Sequence, residues 1–241
     1  MSKLTIQAIK NLGIAAFMTL GLAVAMYLLK IEIVFDKLLI FSVISTVSGV
    51  AGIMTIRNPQ NYTGFYLGMI SSAFLAAQFF FMEKFDLTFL YLIVFIPFQF
   101  SGLVNWKRIS KSEIAGETRN DNNSGKLRFL PSKRQIFYFS IFILLFIIDY
   151  VFASFCLKNY ENVPIFSKIF EKTAFAVMIS SSILSNWLMI GKWLDAWVYW
   201  LIYSVSAIVS ALIIHNNFNL LLFAFFLIIN AISFVSWLKQ R

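Results

Sequence analysis

The stretch AFAVMISSSILSNWLMIGKWLDAWVYWLIYSVSAIVSALI, residues 174–213, decides the fold. Two apolar runs flank the short break Gly191-Lys-Trp-Leu-Asp195, and Lys192 and Asp195 are the only charged residues in the stretch. Each run approaches the roughly 20 residues that carry an α-helix across a hydrocarbon core. The stretch therefore reads as two membrane-spanning helices joined by a tight turn. Runs of the same kind recur along the chain at 12–30, 37–56, 62–82, 87–106, 135–156, 168–190, 194–214 and 218–238. The sixth is shortened by Lys168, Glu171 and Lys172. The expectation is an all-α integral membrane protein of about eight transmembrane helices.

Composition supports this reading. The chain is 60% hydrophobic and 13% charged, with a mean hydropathy of +0.80, whereas soluble domains carry about 25% charged residues. One globular core could not hide that much apolar surface, so lipid must solvate the excess. The net charge of +9 would suit nucleic acid, but the basic residues sit in loops between apolar spans. They act there as topology determinants, and no nucleic-acid partner is expected. With both termini in the cytoplasm, fourteen of the 20 Lys and Arg residues lie inside, eight of them in the loop 107–134. That asymmetry fits the positive-inside rule. The loop is polar and rich in breakers, with Asn120 to Gly125 and then Pro131, and is basic enough to touch anionic lipid.

The first apolar run is longer than a signal-peptide core of about 7–15 residues and has no small-residue cleavage site, so it reads as a retained helix. The single Cys156 excludes an intrachain disulfide. His215 reads as an interfacial residue. The sequons at Asn61 and Asn122 fall on loops expected to be cytoplasmic, so they are not read as glycosylation sites. No phosphate-binding Gly-rich loop, metal-ligand spacing or nucleophile–base pair occurs, so neither catalysis nor a cofactor nor a metal is expected.

Sliding the chain on itself by 131 residues superposes Leu90 on Leu221, Phe95 on Phe226, Gln99 on Asn230, Val104 on Val235 and Trp106 on Trp237. It also places Tyr62 on Trp193 and Tyr66 on Trp197. The expectation is two parallel three-helix repeats, 35–108 and 167–241. They are joined by a cytoplasmic linker and connector helix, 109–166, and preceded by an extra N-terminal helix, 1–34. The odd connector crossing restores the orientation, as in SWEET-type transporters, which bind substrate between the halves.

Trp193, Trp197 and Trp200 stand at i, i+4 and i+7, on one helical face, and Ser204 continues that stripe. Trp197 and Trp200 read as ligand-stacking residues with Tyr199 and Tyr203 beside them. Trp106, Trp187 and Trp237 read as interfacial belt residues. Gln99 and Asn230 are amides deep inside spans. They serve either as an interhelical clamp or as a shared ligand site, because a buried amide must find a hydrogen bond. Gln78 and Asn186 are candidates of the same kind, and Tyr66 joins the set through the repeat. Asp149, the one acid deep in a span, lies on the connector and reads as a structural or subunit contact.

The block Asn186-Trp-Leu-Met-Ile-Gly-Lys-Trp-Leu-Asp-Ala-Trp-Val-Tyr-Trp200 resembles the signature region of PnuC-type vitamin transporters, with Trp187, Lys192, Trp197 and Trp200 at matching positions. The Asn61-Tyr62 turn after Arg57-Asn58 and the segment Pro97-Phe-Gln-Phe-Ser-Gly102 leading to Trp106 are similar to that family as well. The resemblance covers residues 40–110 and 170–240. It implies facilitated diffusion of a vitamin precursor across the bacterial cytoplasmic membrane through a SWEET-like fold, and a homotrimer. It also implies substrate-binding roles for Trp197, Trp200 and Gln99. The sequence departs at Ser204, near which relatives often carry an amide or acid. Stacked indoles attract cationic rings by about 0.5–2 kcal/mol, so nicotinamide riboside and thiamine both suit the aromatic site, while neutral riboflavin gains stacking alone. A non-transporting scaffold or receptor subunit is the competing class. It requires Trp197 and Trp200 to face lipid or another chain, with no cavity between the halves.

Overall fold

A computed structural model describes residues 3–28, 37–81, 85–114, 127–156, 165–213 and 217–241. They form α1 (Lys3–Leu28), α2 (Lys37–Ile56), α3 (Gly64–Phe81), α4 (Phe85–Phe89), a π-helical turn (Leu90–Phe95), α5 (Ile96–Ile114), α6 (Ser132–Cys156), α7 (Ile165–Ile190), α8 (Asp195–Ile213) and α9 (Asn217–Lys239). Every expected span coincides with a helix, or, for the fourth, with the run from α4 through α5. Helix is the form these segments must take, because it alone satisfies the backbone of a single spanning segment in hydrocarbon. Among the described residues, five helical segments are long and apolar enough to cross a membrane: Lys3–Gly21, Gly64–Phe81, Ser132–Phe152, Ile169–Ile190 and Asp195–Leu212. Ile40–Ile56 and Phe223–Lys239 are shorter apolar helices. The linker residues 115–126, with the sequon at Asn122, together with Lys30, Lys84, Lys158, His215 and the side chains of Cys156 and Lys168, lie outside the described residues.

The fourth span differs from the uniform helix that its hydropathy suggests. Pro97 cannot donate a backbone hydrogen bond, and its ring crowds the preceding turn. The π turn lies immediately before it, and the Ile96 N–H reaches back to the Tyr91 carbonyl. One extra residue per turn is a common way to absorb such a break.

Two helix triplets make the bundle. Within one, α3 packs against α2 and α5; within the other, α8 packs against α7 and α9. The triplets meet head to tail, α5 on α7 and α9 on α2. Two tryptophans mark these crossings. The Trp106 indole N–H donates to the Met189 carbonyl at the end of α7, 3.0 Å away. Reciprocally, the Trp237 N–H donates to the Ile56 carbonyl at the end of α2, at 3.2 Å. Each bonds a carbonyl in the last turn of a helix, where intrahelical partners run out; the Met189 carbonyl also accepts the Lys192 N–H. Their rings lie 5.9 Å apart and are 1% and 0% exposed. That corrects the interfacial reading of this pair: they fill the protein core rather than face the membrane boundary. Trp187, by contrast, is exposed.

The extra helix α1 is fastened by polar contacts to the first triplet. The Asn11 amide donates to Thr55 Oγ1 at 3.0 Å, and the Asn61 amide to the Leu4 carbonyl at 3.2 Å. Asn61, 0% exposed, also organises the α2–α3 turn by accepting the Thr63 N–H. Helix α6 packs on α7, and its apolar stretch Ser132–Phe152 has no buried residue. Its carboxylate Asp149 is tied to α7 through the Ser180 hydroxyl, 2.7 Å away. The segment before α6 docks on the α7–α8 turn. Asp195, at the N-terminus of α8, accepts the Leu130 N–H at 2.7 Å, and the Leu194 N–H donates to the Arg128 carbonyl at 2.9 Å.

Helix α7 ends in a Schellman arrangement: the Trp193 N–H bonds Leu188 O and the Lys192 N–H bonds Met189 O. Lys192 holds the left-handed position, φ 56°, where glycine is preferred. Its buried ammonium lies 5.1 Å from the centre of the Trp106 ring, a cation–π contact that a glycine would forfeit.

Candidate functional site

Between the triplets lies a cavity of about 480 Å³, within the roughly 300–1,000 Å³ typical of small-molecule sites. Its walls come from both sides. Helices α2 and α3 supply Ser42, Ser45, Thr46, Gly68, Ser72 and Gln78, the π turn supplies Tyr91, and α5 supplies Gln99. Opposite stand Ser182 and Asn186 of α7, Trp200 and Tyr203 of α8, and Asn230 of α9. Among the described residues, no Asp, Glu, Lys, Arg or His lines it.

The cavity is bounded at the α7–α8 turn end by the main apolar core, which contains Phe65, Leu103, Trp106, Leu188, Trp197 and Trp237. Trp197 is 0% exposed and stands edge-on to Trp237, with ring centres 5.4 Å apart. Phe65 meets Trp106 in the same way at 4.9 Å.

Of the residues proposed from sequence, Gln78, Gln99, Asn186, Trp200, Tyr203 and Asn230 line the cavity. Gln99 Nε2 donates to Asn186 Oδ1 at 2.7 Å, joining α5 to α7. The Asn230 amide donates to Ser204 Oγ at 2.9 Å and to the Trp200 carbonyl at 3.4 Å, joining α9 to α8. Its Oδ1 is buried and has no partner among the described residues. The Trp200 ring meets Tyr203 edge-on at 5.4 Å, giving the cavity an aromatic corner.

The other four lie elsewhere. Trp197 belongs to the core. Ser204 is 0% exposed and holds Asn230 in place. Trp193 is not helical but part of the turn, its ring lying over Gly191 and under the Arg128 guanidinium, 4.3 Å from the ring centre. The i, i+4, i+7 stripe therefore begins outside the helix, since α8 starts at Asp195. Tyr66 is exposed on α3. Phe65, one residue earlier, makes an edge-on contact with Trp106 like the one Trp197 makes with Trp237. Sequence reasoning missed Thr46, Ser72, Ser182 and Tyr91. Serine and threonine are common in membrane helices, and of these four only Thr46 had a signal, the α2 spacing of Ser42, Ser45, Thr46 and Gly49 on one helical face.

Gly68 sets the shape of the amide site. A Cβ there would stand 2.5 Å from Gln99 Oε1 and 2.8 Å from its Cδ. Gly68→Ala is expected to push the Gln99 amide off Asn186 while the bundle still folds, because only a side-chain end must move. Ligand affinity should fall about tenfold, the worth of one well-aligned hydrogen bond to an amide. Isothermal titration in detergent, beside a thermal melt within a few degrees of wild type, checks this.

Comparison with known proteins agrees with this architecture. The profile of a family described as "Nicotinamide mononucleotide transporter" matches residues 39–239. No curated protein matches significantly. A solved structure, described as the crystal structure of the vitamin B3 transporter PnuC, is similar with a TM-score of 0.62 and 18% identity, over 100% of this chain and 92% of that one. The described fold is thus shared with that transporter, at an identity that speaks for architecture alone. The profile covers the two triplets and the connector from α2 to the end of α9, and on that ground the chain belongs to the nicotinamide mononucleotide transporter family.

Proposed function

We propose that the protein carries nicotinamide riboside by facilitated diffusion across the bacterial cytoplasmic membrane, bound between two parallel three-helix repeats. The observation that carries this reading is the uncharged, aromatic and amide-lined cavity between the triplets. A cationic pyridinium ring is stabilised there by the faces of Trp200 and Tyr203. Asn230 Oδ1, buried and unpartnered among the described residues, is an acceptor for a carboxamide N–H or a sugar hydroxyl. A mononucleotide would bring a phosphate carrying nearly two negative charges into a site whose described lining holds no cation to pair it. The riboside is therefore favoured over the mononucleotide in the family's description. The described lining likewise holds no carboxylate for a coupling ion, which supports uncoupled movement down a gradient.

The repeat reading draws on the reciprocal contacts of Trp106 with α7 and Trp237 with α2, and on the matching Phe65–Trp106 and Trp197–Trp237 pairs. Such reciprocity is what a two-fold axis along the membrane normal would produce. Under it, residues 35–108 and 167–241 rock against each other, 109–166 link them, and 1–34 stand outside, with both termini in the cytoplasm. A homotrimer follows from family resemblance. Thiamine is the second reading, since its thiazolium offers the same cationic ring; riboflavin would gain stacking only. A scaffold without transport is disfavoured by the cavity and by the inward placement of Trp200.

The test is uptake into proteoliposomes of labelled nicotinamide riboside, nicotinamide mononucleotide, thiamine and riboflavin. Saturable uptake of the riboside without the mononucleotide is expected, unaffected by collapsing ion gradients. Preferred uptake of the mononucleotide or thiamine would overturn the substrate, and uptake of none would overturn transport.

A further inference from the structure

We propose that Thr46 and Ser72 form a hydroxyl subsite that takes the polyhydroxylated, pentose part of the ligand. This rests on the reading of the cavity as a riboside site. Helix α2 presents Ser42, Ser45 and Thr46 on one face, and α3 presents Ser71 and Ser72 toward it. Part of this hydroxyl band is already engaged by the protein. Ser71 Oγ donates to the Ser45 carbonyl at 2.8 Å, clamping the seam, and Ser45 Oγ donates to the Ser42 carbonyl at 2.9 Å. Thr46 and Ser72 stand next to that clamp, one on each helix, and both line the cavity. Each is only 7% exposed, and among the described residues neither side chain has a hydrogen-bond partner. The residues are nearly buried and border the cavity, yet their hydroxyls are not bonded by the described residues, so a ligand there can complete their bonding.

The second triplet explains why Ser72 is open. Counting from the equivalent contacts of Phe65 and Trp197, Gly68 stands where Trp200 stands, and Ser72 where Ser204 stands. In the second triplet Ser204 is closed by the Asn230 amide. In the first, the corresponding amide is Gln99, and it has turned across the interface to Asn186. Ser72 is left facing the cavity, and Gly68, which has no side chain where Trp200 carries an indole, lets the Gln99 amide pass close to the α3 backbone. The two-fold relation is broken in a chemically useful way: one half offers an aromatic face, the other donor–acceptor hydroxyls. A vicinal diol, itself donor and acceptor, complements hydroxyls, while an anionic group would find no cation in the described lining.

The experiment measures binding of nicotinamide riboside and its 2′,3′-dideoxy analogue to the full chain in detergent. Wild type should prefer the riboside by about tenfold or more, and Thr46→Val with Ser72→Ala should bring the ratio to within about twofold. Thr46→Val alone, nearly isosteric, should lower it about threefold, and Thr46→Ser should restore it. The proposal is overturned if the ratio is unchanged in either variant at a wild-type melting temperature. It is also overturned, with the riboside site left standing, if wild type does not distinguish the two ligands. Binding of neither ligand by wild type overturns the riboside reading and this one with it.

Discussion

Replacing Trp200 by alanine is expected to weaken nicotinamide riboside binding by roughly 30- to 100-fold while leaving the melting temperature within a few degrees of wild type. The ring is only partly buried and borders the cavity, so its loss removes ligand contact more than core packing. Removing the aromatic face costs the cation–π attraction, about 0.5–2 kcal/mol, together with the apolar area that the ligand ring would bury against it. A total of roughly 2–3 kcal/mol corresponds to that range of affinity. The neighbouring polar frame survives, because Ser204 and Asn230 both bond the Trp200 backbone carbonyl rather than its side chain. Trp200→Phe keeps a face for stacking and should lose much less. Titration of riboside into the purified variants, followed by initial rates in proteoliposomes, makes the measurement. Affinity within threefold of wild type for Trp200→Ala would remove the indole from the site.

Trp197→Ala should do the opposite kind of damage. That ring is 0% exposed and packed edge-on against Trp237 beneath the cavity, so truncation opens a void where several helices meet. Core Trp→Ala changes typically cost about 3–5 kcal/mol. On the scaling of soluble domains this size, that corresponds to a fall of roughly 10 °C in melting temperature. One feature moderates the cost: the Trp197 indole N–H is buried without a partner among the described residues, so truncation removes an unsatisfied donor as well. Thermal unfolding in detergent should therefore separate two residues only three apart in sequence. A Trp197→Ala protein that melts like wild type yet fails to bind riboside would put the ring in the site after all.

These two tryptophans illustrate where sequence reading reached and where it stopped. Both lie in the quoted stretch, both fall within the residues that the family profile matches, and helical spacing puts both on one broad face. Only the neighbours differ. The α9 residue opposite Trp197 is another indole, Trp237, whereas Trp200 sits one turn further along α8, beside Tyr203 of its own helix and near Asn230 of α9. A periodicity argument gives the direction of a side chain from its own helix axis but says nothing of what the next helix brings to that level. Trp106 and Trp237 failed for the same reason. Their positions near span ends suit an interfacial belt, yet the head-to-tail meeting of the triplets turns both indoles inward onto carbonyls at the ends of α7 and α2. Tyr66 was placed by a rigid shift. On α3 it is Phe65 that meets a tryptophan of the core, and Tyr66 is exposed.

The amides fared better because burial in a membrane span constrains them more tightly. Gln99, Asn186 and Asn230 each had to find a hydrogen bond, and each did, across a helix–helix contact bordering the cavity. Which amide pairs with which was not legible, since Gln99 bonds Asn186 rather than mirroring Asn230 on Ser204.

By itself, the sequence determined that the chain is a membrane-embedded helical bundle and roughly where each span lies. Hydrocarbon forbids unpaired backbone, so apolar runs of sufficient length have no alternative to helix. Tertiary structure alone decided which indole lines the cavity, which fills the core, and which hydroxyls on α2 and α3 lack a partner. Those outcomes depend on the level and rotation at which separate helices meet, and these arise from packing among many side chains rather than from any local pattern.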